Sequence, residues 1–220
     1  MLLKVENLTV KFDDFVVLED INFEIKENEI VGIIGPNGGG KTTLLRALTF
    51  QIPFEGKIHL KPGIKIKLVP QIKNINRLLP LTVKELFSYS KLDIKKSFEY
   101  FEKEIWESKI SVLSDGQLQK VLLIYALIQE PDLLLLDEPS TFLDIKNKEN
   151  IFLLIEKFYQ KRNFSILLVS HDLSLISSIT QRVICLNKNL ICDGPLSKLT
   201  PELLEKLYGY PISFYQHYHN

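Results

Sequence analysis

The chain contains, at residues 35–42, the stretch Gly35-Pro36-Asn37-Gly38-Gly39-Gly40-Lys41-Thr42. The apolar run Ile30 to Ile34 precedes it, and a helix is predicted to follow from Lys41 to about Phe50. Glycines carry no Cβ, so the backbone amides of such a loop can approach phosphate oxygens closely. A chance glycine-rich turn is the alternative, but the position between a strand and a helix favours a phosphate-binding loop.

The side chains that end this stretch indicate a nucleotide. Lys41 would bridge the β and γ phosphates, and Thr42 would offer its hydroxyl to Mg²⁺. Thr43 belongs to the same predicted nucleotide-binding segment, and the dipole of the following helix adds attraction for anions. Pro36 and Asn37 are turn formers and fit a phosphate loop and an ordinary turn equally well.

Two carboxylates, Asp137 and Glu138, follow the four leucines at 133–136. Such an apolar run predicts a buried strand, and open α/β sheets bind ligands at the carboxyl ends of their strands. Asp137 would hold Mg²⁺ directly or through water, and Glu138 would orient or deprotonate the attacking water. The alternative is a strand end that reaches solvent in two acids and a proline turn; the phosphate loop in the same chain favours catalysis.

His171 follows another apolar run, Ile166 to Val169. An imidazole at this strand end could donate a hydrogen bond to the γ-phosphate and so sense its presence. A single histidine is more often structural, and both interpretations remain open. The candidate catalytic residues are therefore Lys41, Glu138 and His171.

A third motif, Leu113-Ser114-Asp115-Gly116-Gln117, has the pattern of a helix N-terminus. Ser114 would cap the helix, and Gln117 would occupy the third helical position of a capping box. From the residues alone, a simple cap explains this segment.

Composition limits the function classes. The 220 residues suffice for one α/β domain, and Lys plus Arg equals Asp plus Glu at 27 each, so no positive field attracts nucleic acid. We find no signal-peptide pattern and no apolar run of membrane-spanning length, and we expect a cytoplasmic protein. Cys185 and Cys192 would face each other across a hairpin with its turn at Lys188-Asn189, and we favour buried free thiols over a redox or metal role.

Periodicity divides the chain into four segments. We predict strands and the phosphate loop in residues 1–71, an inserted helical subdomain at 72–130, a parallel β-α-β core at 131–182, and a hairpin, helix and tail at 183–220. Thr82 begins one helix of the inserted subdomain with capping-box spacing. Ile94, Phe98, Phe101 and Ile105 recur there at helical intervals.

Taken together, these motifs resemble those of the ATP-binding-cassette (ABC) ATPases over nearly the whole chain. Residues 35–42 are similar to the Walker A loop, Leu113 to Gln117 to the signature motif, and Leu133 to Asp137 to the Walker B strand. Gln71 corresponds to the Q-loop glutamine, Glu138 to the catalytic glutamate, Ser140 to Asp144 to the D-loop, and His171 to the switch histidine. The resemblance implies a single P-loop NTPase domain of the ABC type, with a mixed sheet core, an antiparallel β subdomain and an inserted helical subdomain.

The resemblance also implies roles for particular residues. Phe12 would stack on adenine, with Phe15 as the competitor and ordinary packing as the alternative. Gln71 would join Thr42 and Asp137 as a Mg²⁺ ligand. Ser114, Gly116 and Gln117 would bind the ATP held by a second copy of the chain, so that ATP joins two cassettes head to tail.

Two positions depart from the family's pattern. Asp115 stands where glycine is usual and sets a carboxylate near a polyanion; it either points away or weakens closure of the dimer. Lys120 replaces a common arginine and lacks the forked geometry for bidentate pairing.

Softer similarities indicate bacterial zinc and manganese importers, among them Val69-Pro70-Gln71 and the segment from Cys185 to Pro195. The implied partners are a membrane permease at the cytoplasmic face and, indirectly, a periplasmic or extracellular metal-binding protein, with no nucleic acid. Zinc is the expected cargo, with manganese, an iron-siderophore or another solute as alternatives. A soluble ABC ATPase of DNA repair or translation and a non-hydrolysing binding module are the rivals. His217 and His219 belong to a solvated tail or contact a metal.

Overall fold

The fold is taken from a computed structural model, which describes residues 1–90, 97, 99–141 and 143–209. Two sheets organise these residues. A three-stranded antiparallel sheet has the order β2-β1-β4, and a six-stranded sheet has the order β5-β6-β7-β3-β8-β9. The strands are β1 (Leu3–Phe12), β2 (Phe15–Ile25), β3 (Ile30–Ile34), β4 (Glu55–Leu60), β5 (Ile66–Val69), β6 (Leu133–Asp137), β7 (Ser165–Val169), β8 (Arg182–Asn187) and β9 (Asn189–Pro195).

The six-stranded sheet is parallel from β5 to β8, and β9 returns antiparallel as the second strand of a hairpin. All residues of β6 and β7 are buried, which explains why both strands are apolar without alternation. The predicted strands at 30–34, 133–136 and 165–169 are confirmed. Parallel pairing brings the carboxyl ends of β3, β6 and β7 to one edge.

The two faces of this sheet support separate cores. Leu134 and Leu136 of β6 face a core built mainly with helices, whereas Leu133 and Leu135 face one built with the first helix and the three-stranded sheet. The helices are α1 (Lys41–Leu48), α2 (Val83–Ser88), α3 (Lys103–Glu107), α4 (Asp115–Leu127), α5 (Ile145–Lys161), α6 (Leu173–Ile179) and α7 (Pro201–Tyr208). Within the described ranges, none of the helices has the length and apolar character needed to cross a membrane.

Local capping signals specify several helix starts. Thr82 accepts a hydrogen bond from Glu85 N, and the Glu85 side chain completes the predicted capping box of α2. Residues 72–130 contain α2, α3 and α4, with short 3₁₀ turns at Ile72–Asn74 and Ile110–Val112. Ile94 and Phe98, predicted to lie on a helix, fall outside the described residues. The division of the chain into four segments stays a prediction.

The C-terminal part contains the predicted hairpin and helix. Cys185 and Cys192 are directly opposite each other, as predicted, but the favoured interpretation of free thiols is wrong, because their sulfur atoms form a disulfide bond. The hairpin places the two Cα atoms 4.8 Å apart, close enough for that bond. Gly209 ends α7 in the left-handed conformation, at φ 80°. His217 and His219 lie outside the described residues.

Candidate nucleotide-binding site

The glycine-rich loop joins β3 to α1, as predicted, at the edge where parallel strands end. The Lys41 ammonium lies across the loop and donates to the carbonyl oxygens of Gly35 at 2.8 Å and Pro36 at 2.9 Å. Burial lowers the pKa of Lys41, and the nearby carboxylates of Glu138 and Asp137 act in the opposite direction. The loop thus holds a buried cation at its centre.

The loop packs tightly against the β8–β9 hairpin. A Cβ on Gly35 would lie 1.9 Å from the carbonyl oxygen of Leu186, so no other residue fits this backbone position. On the same side, Lys188 N donates to the carbonyl oxygen of Gly39 at 3.1 Å. The β8–β9 hairpin therefore fixes the path of the glycine-rich loop through these two contacts.

Asp137 ends β6 facing the start of α1. Its Oδ2 accepts a hydrogen bond of 2.9 Å from the Thr42 hydroxyl, whereas its buried Oδ1 has no protein partner in the described residues. Burial raises the pKa of this carboxyl, and the bond from Thr42 partly opposes that change. A buried carboxylate oxygen with a free lone pair beside a hydroxyl suits Mg²⁺, which prefers oxygen ligands. The residues present therefore fit this cation.

Glu138 follows Asp137 with left-handed backbone, φ 53°, and its N–H extends the pairing of β6 with Val169. Two side chains hold its carboxylate: the Thr141 hydroxyl donates to Oε2 at 2.7 Å, and His171 Nδ1 lies 2.5 Å from the same oxygen. A carboxylate only accepts hydrogen bonds, so Nδ1 carries the proton in this contact. Glu138 is nearly buried while His171 is half exposed, so the imidazole can also reach a ligand in the cavity.

A cavity of about 1070 Å³ joins these groups. Residues 35–38 and 40–43 of the loop region line it, together with Gln71, Asp137, Glu138 and His171. Gly39 packs beneath the loop and is not in the cavity wall. Most residues predicted to bind nucleotide and metal, though separated in sequence, thus share one opening.

Two aromatic residues of the β1–β2 hairpin compete for the role at the nucleotide base. Phe12 and Phe15 pair across the hairpin and are both exposed. Phe15 lines the cavity, and Phe12 does not. The structure thus favours the residue that the sequence analysis named only as the competitor.

Sequence reasoning assigned no role in the site to five residues of the cavity wall, Val17, Lys73, Thr141, Leu173 and Tyr208. Thr141 lies three residues after Glu138, a spacing typical of side-chain contacts in turns, and this signal could have identified it. Lys73 follows Gln71 by two residues, within the 3₁₀ turn Ile72–Asn74. Tyr208 reaches the cavity from the end of α7, and no local pattern indicates that placement.

Ser114, Gly116 and Gln117 lie at the start of α4, outside this cavity. Ser114 accepts from Gln117 N at 3.3 Å, and Gln117 Oε1 accepts from Ser114 N at 2.9 Å, which confirms the predicted capping box. A Cβ on Gly116 would lie 2.8 Å from the Asn147 side chain, so α4 and α5 approach closely at this point. Lys120, one turn further along α4, lies over the ring of Phe101.

The sequence matches the family described as ABC transporter over residues 18–141. The chain belongs to this family. The match includes the phosphate loop, the start of α4 and the two carboxylates at the end of β6. It confirms both the resemblance found in the sequence and the expected ABC ATPase fold.

Several ABC relatives cover nearly all or all of the chain. The zinc import ATP-binding protein ZnuC of Acinetobacter baylyi is 38% identical over 100% of this chain and 87% of its own length. The ZnuC of Haemophilus influenzae is 35% identical over 100% of this chain and 86% of its own length. A metal transport system ATP-binding protein of Thermotoga maritima is 36% identical over 94% of this chain and 90% of its own length.

Solved structures agree with the fold. A metal-chelate type ABC transporter in an inward-facing conformation superposes with a TM-score of 0.82, at 26% identity, covering 96% of this chain and 89% of its own. A dimeric ATP-binding cassette in a post-hydrolysis state, bound to ADP and inorganic phosphate, has a TM-score of 0.74 at 27% identity and covers 89% of this chain and 99% of its own.

Proposed function

We propose that this chain is the ATP-binding and ATP-hydrolysing subunit of an ABC importer that moves a divalent metal ion, with zinc as the cargo. The observation that carries the hydrolytic part is the meeting of Asp137 and Glu138 with Lys41 and Thr42 around one cavity. The names of the full-length relatives support zinc. Manganese, an iron-siderophore or another solute is the alternative cargo.

The buried groups divide the chemistry between them. Thr42 Oγ1, Asp137 Oδ1 and the Gln71 side chain would hold Mg²⁺, which supplies neutralisation of phosphate charge and orientation of the transferred group. Lys41 would leave the carbonyls of Gly35 and Pro36 to bind the β and γ phosphates of the substrate ATP. An aromatic ring of the β1–β2 hairpin would cover adenine; Phe15 fits the cavity, and Phe12 is the choice that the resemblance implies.

Glu138 is the proposed base. Its carboxylate is fixed by Thr141 and His171, so it can orient a water and accept its proton without losing position. His171 would contact Glu138 through Nδ1 and the γ-phosphate through the other side of its exposed ring. It would in this way sense whether the γ-phosphate is present. This arrangement couples the state of the phosphate to the state of the base.

The signature residues require a second copy. Ser114, Gly116 and Gln117 lie outside the cavity of their own chain, so we assign them to the ATP bound by a partner subunit. The superposable dimeric cassette supports such an assembly. The dimer would dock on a membrane permease at the cytoplasmic face, and a periplasmic or extracellular metal-binding protein would deliver the cargo.

The first experiment measures phosphate release by the purified chain with its permease, in the presence and absence of Mg²⁺. Glu138→Gln should reduce turnover about 10²- to 10⁴-fold while leaving ATP binding intact, the range of general-base assistance. Glu149→Gln, on the exposed face of α5, is the matched control and should behave as wild type. Equal turnover in the wild type and Glu138→Gln would disprove the catalytic assignment.

The second experiment tests the cargo. A strain lacking the chain should lose uptake of radiolabelled zinc and recover it with the wild-type chain but not with Glu138→Gln. Restored uptake of manganese with no change in zinc would assign the alternative cargo. Restoration of zinc uptake by Glu138→Gln would contradict the proposal that hydrolysis powers it.

A further inference from the structure

Arg77 contacts both neighbours of Ser114. Its Nη1 donates to the carbonyl oxygen of Leu113 at 3.0 Å, and its Nη2 forms an ion pair with Asp115 Oδ1. Arg77 lies 38 residues before Asp115 in the chain, so the fold and not local sequence brings them together. One guanidinium thus spans the residue that caps α4.

Asp115 is one of the two positions where this chain departs from the family's pattern. It lies between Ser114 and Gly116, two of the three residues that we assign to the ATP bound by a second copy. A free carboxylate beside a polyanion costs energy through like-charge repulsion, more so where the closing dimer excludes water. Asp115 therefore presents a cost to dimer closure that a glycine would not present.

We propose that Arg77 is a positioning residue of the ATP-bound dimer: it neutralises Asp115 and holds this carboxylate away from the phosphates. Asn76 supports the arrangement, because its Oδ1 accepts from Leu78 N at 3.0 Å and fixes the turn that carries Arg77. The inference rests on the proposed function, since it needs ATP bound between two copies. The ion pair explains how the dimer could close around ATP although the signature motif contains the carboxylate of Asp115.

A purely structural role explains the pair less well. Both side chains are partly exposed, 33% for Arg77 and 47% for Asp115, and exposed ion pairs add little to folding stability. The pair also connects the segment that begins at Gln71, a lining residue of the cavity, to the cap of α4. Within one chain, the link thus joins a segment at the wall of its own cavity to the cap that would face the ATP of the second copy.

The test uses the Glu138→Gln background, in which we expect ATP-bound dimers to accumulate because hydrolysis is slowed. It measures the dimer dissociation constant by light scattering or analytical ultracentrifugation with MgATP. Arg77→Ala should weaken dimerisation at least about tenfold, equivalent to about 1.4 kcal/mol. Asp115→Asn in addition should restore most of this loss, because the charge that Arg77 balanced is gone. ATP binding to the monomer should be unchanged.

Arg162→Ala is the matched control. Arg162 makes the same two kinds of contact, to the carbonyl of Glu130 at 2.7 Å and the carboxylate of Asp132 at 2.9 Å. Both partners lie just before the first residue of β6, away from the cap of α4. Arg162→Ala should leave the dimer dissociation constant unchanged. The deficit of Arg77→Ala relative to wild type should also shrink as ionic strength rises, since salt screens charge repulsion and does not replace a lost structural contact.

The outcomes separate the inference from the proposed function. If the parent Glu138→Gln chain does not dimerise with ATP, the proposed function fails. If the parent dimerises and Arg77→Ala does so equally well, the inference is wrong. It is also wrong if the loss in Arg77→Ala persists undiminished with Asp115→Asn, because the effect would then be independent of the carboxylate.

Discussion

The carboxylate of Glu138 depends on Thr141, a residue to which the sequence analysis gave no role of its own. The Thr141 hydroxyl donates to Oε2, the same oxygen that His171 contacts. Thr141→Val keeps the shape of the side chain and removes the donor, so the carboxylate should lose its fixed orientation. We expect kcat to fall about tenfold, the loss of one hydrogen bond to a charged group, with little change in KM for ATP. Steady-state phosphate release measures both.

Thr141→Ser is the matched control for this prediction, because it retains the hydroxyl and removes only a methyl group. It should keep most of the wild-type kcat. A fall in the serine variant equal to that in the valine variant would assign the effect to packing in the turn after β6 and not to the hydrogen bond.

The buried carboxyl of Asp137 makes stability depend on pH. Burial raises its pKa in the folded protein above the ordinary value of 3.8, so the ionised form opposes folding at neutral pH. Asp137→Asn should therefore stabilise the protein at pH 7 without Mg²⁺ or nucleotide, by about 1 to 3 kcal/mol, because a neutral amide is buried at lower cost than a carboxylate. Thermal unfolding measures the difference.

The sign of this effect can be followed with pH. As the pH falls through the raised pKa, the wild-type carboxyl takes up a proton more readily folded than unfolded, so its penalty disappears and the advantage of Asp137→Asn should shrink. Asp14→Asn, at an exposed turn between β1 and β2, is the control for the same substitution at a solvated position. An advantage that grows on acidification would contradict the assignment.

At the scale of elements, the loop between β3 and α1 depends on its contact with the β8–β9 hairpin. Gly35→Ala would place a methyl group 1.9 Å from the carbonyl of Leu186, which forces the loop away from the hairpin. We expect loss of nucleotide binding, measured with a fluorescent ATP analogue. Gly63→Ala is the control: it has a left-handed φ of 76° but open space around it, so it should cost about 1 kcal/mol of stability and leave binding intact.

Gly63→Ala keeps the comparison specific, because both variants add one methyl group to a loop glycine. Equal affinity for the analogue in Gly35→Ala and wild type would show that the loop does not need its contact with Leu186.

Elements defined by local rules were predictable from the sequence. The buried strands β3, β6 and β7 are continuous apolar runs, and Thr82 and Ser114 cap their helices through residues three positions away. Contacts between distant residues were not, since no local pattern encodes them. The pair of Arg77 with Asp115 and the placement of Phe15 in the cavity both depend on how separate elements pack.

At the scale of the whole molecule, the Cys185–Cys192 disulfide should stabilise the folded protein under oxidising conditions only. It closes a short loop, with a sequence separation of 7, for which the chain-entropy estimate is about 2 kcal/mol. Reduction should lower Tm by roughly 4 to 8 °C for a domain of this size. The double variant Cys185→Ser, Cys192→Ser should have the lower Tm with or without reductant. An unchanged Tm of the wild type in reductant would contradict the prediction.

The strand order of the six-stranded sheet also bears on how the protein is made. β3 carries the phosphate loop near the N-terminus, yet its two neighbours, β7 and β8, begin at Ser165 and Arg182. During translation the loop therefore leaves the ribosome long before either flanking strand. A nascent chain that ends before β8 cannot form the supported loop, so ATP can stabilise this polypeptide only after β8 has been synthesised.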